Sequence, residues 1–251
     1  MSVRDTRSAT VCARPCRGTF VDRRRLGALA GIVGPPLFVA VTVVEGWLRP
    51  GYDSRSMYGS ELALGPRGII QIVNFVVYGI LLLLFARGIA AEFPQGKASR
   101  WGPRLLAVSG ICWIGGGLFV MDPQVLSVPL AQFSWHGWLH VLFGVPLSYT
   151  LPISCFVFLR RFREDRNWSA LARWTLTAGV LSAVLFGVLK VIIYSIRLAP
   201  GNALAAWGGL IQRLAFFIWL GWQFTVAVRL HTLTTEVGTG ALPEYQRDEV
   251  T

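Results

Sequence analysis

The chain has 251 residues, of which 53% are hydrophobic and only 15% charged, and its formal net charge is +11. A soluble domain carries about 25% charged residues, so an ordinary water-soluble fold is excluded. Nucleic-acid binding is not the expectation either, because the basic residues are distributed by membrane topology.

Residues 1–25 are rich in arginine and lack an apolar core of their own. They read as a disordered, basic cytoplasmic arm; the apolar run that follows is too long for a cleaved signal peptide. Six apolar stretches come next, at 26–48, 68–91, 104–121, 136–159, 174–196 and 205–228. About 20 apolar residues cross the hydrocarbon core as a helix, and a lone strand cannot satisfy its backbone there. The predicted fold is all-α: a polytopic membrane bundle of six transmembrane helices over residues 26–230. A disordered cytoplasmic tail at 231–251 completes the chain.

Orientation follows from charge. With the N-terminus in the cytoplasm, the arginines of the arm, Arg87 to Arg104, Arg160 to Arg173, Arg229 and Arg247 all lie inside. Only Arg49, Arg55, Arg67, Lys190, Arg197 and Arg213 lie toward the outside. This bias places both termini in the cytoplasm and the basic ends against anionic inner-leaflet lipid. Outer loops are expected at 49–67, 122–135 and 197–204. Pro35-Pro36, Pro146 and Pro152 predict loosened turns within spans one and four. Gly27 with Gly31, and Gly179 with Ala183 and Gly187, predict close helix contacts. Of four cysteines, Cys12 and Cys16 fall in the arm, while Cys112 and Cys155 read as small packing residues within spans.

Polar groups are costly inside a membrane, so their placement is the functional signal. Counting from span ends puts Glu45, Gln71, Asn74, Asp122, His136, His140, Lys190, Gln212 and Arg213 in the outer half, with Glu61 in the loop above. The inner half reads as almost purely apolar. One reading is a structural hydrogen-bond and ion-pair network, with Lys190 snorkelling outward. The other is a polar pocket open to the outside, lined by these ten residues. His136-x-x-x-His140 presents two imidazoles on one helix face, and Asp122 or Glu61 could add an oxygen to make a zinc site. The spacing lacks the glutamate that a zinc protease uses as base.

At these residues the chain resembles the domain-of-unknown-function family 998, multi-pass membrane proteins of bacteria and archaea. The matching pieces are Ser60-Glu61-Leu62, Asn74-Phe75 with Gly79, Phe119-x-x-Asp122-Pro123, His136-Gly137-x-x-His140, and Gly209 to Arg213 with Trp219. The resemblance spans roughly 26–230 and implies a prokaryotic plasma membrane, but no activity. Ser60, Asp122, His136 and His140 also echo, more loosely, the three-histidine zinc hydrolases typified by alkaline ceramidases. The only third histidine, His231, falls at the opposite end.

The expected role is non-enzymatic: binding or translocating a small-molecule or lipid ligand, without a cofactor, through the outer pocket, in contact with membrane lipid. The alternatives are a metal-dependent hydrolase of a lipid headgroup or amide, using Asp122, His136 and His140, and a structural or accessory membrane subunit.

Overall fold

The computed structural model describes residues 17–123, 130–199 and 202–238. Much of the expected arm (1–16, with Cys12 and Cys16), the middle of the second expected outer loop (124–129), the 200–201 turn and the tail from 239 onward lie outside the described residues.

Among the described residues there are six α-helices and no strand: α1 (Arg17–Leu48), α2 (Gly68–Glu92), α3 (Trp101–Leu118), α4 (Trp135–Phe162), α5 (Ala172–Leu198) and α6 (Gly208–Gly238). Short 3-10 turns at Gly59–Ala63, Leu130–Gln132, Ser169–Leu171 and Ala203–Trp207 sit in the connections. Five helices, α1, α2, α4, α5 and α6, are long and apolar enough to cross a membrane, and the chain is a multi-pass membrane protein. The exception is α3, with 18 residues. Its rise of about 27 Å nearly matches the roughly 30 Å core, but Arg104 and the run Gly115-Gly116-Gly117 dilute its hydropathy.

The termini of the bundle differ from the sequence reading. Residues 17–25 belong to α1 rather than to a disordered arm, and an ion pair from Arg24 to Glu92 ties this part of α1 to α2. Likewise α6 continues past 230 to Gly238, because Leu230, Leu233 and Thr234 remain buried. The prolines of α1 and α4 lie inside continuous helices.

Each helix packs on the next, and α6 returns to α1, so the six close into a ring. Glycines set the closest approaches: a Cβ on Gly27 would fall 2.5 Å from Gly88 Cα, and one on Gly79 would fall 2.6 Å from the Gly110 carbonyl. Gly31 meets Ala227 and Phe85 in the same way. The expected stripe on α5 behaves differently. Gly179 does pack against Cys155 and Phe156 of α4, whereas Ala183 and Gly187 are exposed. Toward the C-terminal end of α5, therefore, small residues do not mark a helix contact.

One end of the ring carries the 49–67 connection (the loop end). The opposite, arginine end carries the 93–100 and 163–171 connections, where Lys97 pairs with Glu164 and Arg229 Nε donates to the Asn167 carbonyl at 2.8 Å. The arginine half is filled by Phe85, Phe158, Phe162, Trp168, Trp219 and Trp222, all essentially inaccessible. It is not purely apolar, which corrects the sequence reading. Trp219 Nε1 donates to Ser154 Oγ at 3.1 Å, Trp222 Nε1 to Thr175 Oγ1 at 3.0 Å, and Trp168 Nε1 to Glu92 at 3.3 Å. The reason is chemical: a buried indole N–H needs an acceptor, and a small hydroxyl on the facing helix supplies one without disturbing the packing.

Candidate functional site

At the loop end the 49–67 connection folds over the bundle, with turns at Gly51 and Gly65 that take the left-handed conformation (φ 74° and 75°). Its backbone is held by polar side chains. Arg213, 9% exposed on α6, donates from one terminal nitrogen to the carbonyls of Ser54 (2.6 Å), Met57 (2.8 Å) and Gly209 (3.0 Å), and from the other to the Tyr52 hydroxyl. Tyr52 Oη donates in turn to the Tyr58 carbonyl at 2.8 Å. Gln212 Oε1 accepts from Gly59 N–H at 2.8 Å, and Glu61 accepts from Tyr58 N–H at 2.7 Å. Arg49 donates to the carbonyls of Glu61 and Leu64 at 3.1 and 2.8 Å. Burial pushes the Tyr52 and Tyr58 phenols up to about 12. It also raises Glu61 above the usual carboxylate range, against the opposing pull of the Tyr58 N–H and Arg213.

A second cluster joins α1 to α2. Arg67 forms a two-pronged ion pair with buried Glu45, at 3.2 and 2.5 Å. Asn74 Nδ2 donates to the Phe38 carbonyl and to Thr42 Oγ1, both at 3.2 Å, and Gln71 donates to the same hydroxyl at 3.4 Å. A third joins α3 to α4. Asp122 accepts from the Ser134 N–H (2.9 Å) and hydroxyl (2.5 Å), while the Ser134 hydroxyl caps α4 by accepting from Gly137 N–H at 3.1 Å. A Cβ on Gly137 would strike the Asp122 carboxylate. His140 Nδ1 lies 2.8 Å from the Phe119 carbonyl and 3.1 Å from that of Gly116. Carbonyls only accept, so Nδ1 carries a proton and donates to them.

Between these clusters lies a cavity of about 400 Å³, lined by side chains of all six helices together with Gly59, Ser60 and Phe133. Its walls are chiefly aromatic and aliphatic, from residues such as Phe38, Phe75, Trp113, Phe186, Phe216 and Phe217. The polar groups at its wall include His140, Ser148, Lys190, Arg197, Gln212 and Arg213. Two lining residues of α4, Trp138 and Val145, are also exposed, so the cavity opens on that side. Gly116 is buried, yet a Cβ there would meet nothing within 4 Å; the space beside it is the cavity itself.

Of the ten residues singled out in the sequence, His140, Lys190, Gln212 and Arg213 line this cavity. Glu45, Gln71 and Asn74 sit in the α1–α2 cluster, Glu61 in the loop, and Asp122 at the cap of α4. His136 is exposed and its ring lies tilted by 33° against that of Trp135, with centroids 3.6 Å apart. Asp122, His136 and His140 are not assembled as ligands, and among the described residues no three His, Cys, Asp or Glu side chains form a metal-binding group.

Lys190 lies in the loop-side third of α5, about 12 Å below the end of the helix at 1.5 Å per residue. Its ammonium sits 3.8 Å from the centroid of the Tyr149 ring. Such a contact is worth about 0.5–2 kcal/mol and offsets only part of the cost of holding an ammonium within a span without a counter-ion. Arg197 lies over the Phe133 ring at 5.3 Å. Sequence reasoning missed Tyr149, Phe133 and Trp113. Aromatic residues are so common in these spans that type and spacing alone do not separate cavity walls from packing.

A family model described as "Protein of unknown function (DUF998)" matches residues 32–229. The chain belongs to this family. The match takes in α2 to α5 whole, parts of α1 and α6, and every described residue of the cavity wall, so the loop-end architecture lies within the DUF998 region. No curated protein and no solved structure matches the chain.

Proposed function

We propose that this DUF998 protein crosses a prokaryotic plasma membrane six times, with α3 as the sixth span and both termini cytoplasmic. In that setting it binds or translocates a small or lipidic ligand through the loop-end cavity, which faces outward. The observation that carries this reading is the cavity itself: about 400 Å³, within the range of ligand pockets, walled by all six helices. The walls are more apolar than the sequence suggested, which favours a ligand drawn from the bilayer. The basic connections at the arginine end support the orientation. The hydrolase alternative has no such support, since its three proposed metal ligands do not come together.

Two experiments test the reading. In a chain stripped of native cysteines, Ser54→Cys should react with an impermeant maleimide on intact cells and Ser169→Cys only after permeabilisation; the reverse pattern overturns the orientation. Native mass spectrometry of gently purified protein should detect a co-purifying small molecule that Gly116→Leu, which fills the cavity, removes. Equal retention by wild type and variant would overturn the binding role.

A further inference from the structure

We infer that the occupant of this cavity is an anionic amphiphile, whose acidic head pairs with Lys190 and whose chain lies among the aromatic walls. The inference rests on the binding role proposed above and names its ligand class.

Three observations converge on it. Among the described residues the cavity wall contains Lys190, Arg197 and Arg213 but no aspartate or glutamate, so the charge they bring is of one sign. Arg213 is committed to loop carbonyls and Tyr52; Lys190 has no carboxylate or hydrogen-bond partner among the described residues, only the face of Tyr149. A half-buried ammonium within a span lacks the counter-ion that such groups ordinarily have, and an acidic head supplies it. The remaining wall, Phe38, Phe75, Phe186, Phe216 and Phe217, suits a hydrocarbon chain, and the opening beside Trp138 and Val145 gives a route in from the lipid side.

The test is quenching of intrinsic tryptophan fluorescence in uncharged detergent micelles, since Trp113 and Trp138 line the cavity. Three brominated probes share one acyl chain: a fatty acid, a lysophosphatidate and an uncharged monoacylglycerol. The component of quenching that Gly116→Leu removes reports the cavity. The acidic probes should bind about tenfold more tightly than the neutral one, the difference expected of a single charge-assisted contact. Lys190→Met should abolish that preference and Lys190→Arg restore it. Whichever acidic probe binds more tightly identifies the head as carboxylate or phosphate. Equal affinity for neutral and acidic probes, with quenching still removed by Gly116→Leu, would leave the cavity reading intact and overturn the charge assignment. Preference unchanged in a folded Lys190→Met would overturn it too. No probe showing a component sensitive to Gly116→Leu would overturn the cavity reading itself, and this proposal with it.

Discussion

The two halves of the bundle use polar groups in opposite ways. In the arginine half, Ser154 and Thr175 each accept one indole N–H from a neighbouring helix, and the space between helices is filled by rings. In the loop half, Arg213, Gln212 and Arg49 hold the backbone of a connection, and the space between helices is left open. Lipid tails are as apolar as leucine, so association in a membrane depends on packing and hydrogen bonds rather than on the hydrophobic effect. The filled half therefore carries the stability, and the open half is free to hold something else.

The comparison can be broken most forcefully in the filled half. Trp222→Ala should cost about 3–5 kcal/mol, the usual penalty for deleting a large buried ring, read as a lowered thermal unfolding midpoint in mild detergent. A change no larger than that of a surface substitution would show that the plug does not carry the fold. Arg213→Met should cost less, about 1.5–3 kcal/mol, because its carbonyl partners sit near the membrane edge where water can replace it. It should also speed proteolysis of the 49–67 connection while leaving the arginine half intact. Gly116→Leu should have the smallest effect on stability, neutral or slightly favourable, because the added side chain enters open space and leucine is the better helix former. A loss comparable to that of Trp222→Ala would mean the cavity is not open at this position.

A finer distinction comes from Glu61. Burial raises its folded pKa above the ordinary 4.5, so the folded state holds this proton more tightly than the unfolded state. The stability gained is full below about 4.5 and is lost as pH rises through the folded value. Glu61→Gln keeps an acceptor for the Tyr58 N–H and removes the titration. Its unfolding midpoint should fall less than wild type's as pH rises through this window; parallel profiles would sink the assignment.

The helices were legible because length and apolarity alone decide them, and the loop-end location of the polar residues was legible because charge is rare enough in a span to count. What each residue holds was not. Arg213 and Gln212 read as members of an outer-half polar network or pocket lining, yet they also bind backbone of the 49–67 connection, and no spacing rule announces a contact across more than 150 positions. Lys190 lines the cavity as its position among the outer-half polar residues suggested, but not for the reason the small residues gave, because Ala183 and Gly187 are exposed rather than packed on another helix. The hydroxyls beside Trp219 and Trp222 escaped notice because a serine or threonine in a helix can satisfy itself from the preceding turn, and nothing in the sequence says when it serves a ring instead.

The three consecutive glycines of α3 should leave an uneven imprint on substitution. They point about 100° apart around the helix and meet three different surroundings. A side chain at Gly115 runs into the Phe143 ring of α4, and one at Gly117 reaches Phe75 Cβ at 2.8 Å and the Ile72 carbonyl at 3.0 Å on α2. Gly116, between them, has room to spare. In a saturation library selected for folded, membrane-inserted protein, positions 115 and 117 should therefore accept almost nothing but glycine while 116 drifts freely. In a library selected for the protein's biological task, 116 should close down as well. The gap between those two tolerance profiles would separate what the residue does for the helix from what the space beside it does for the cell.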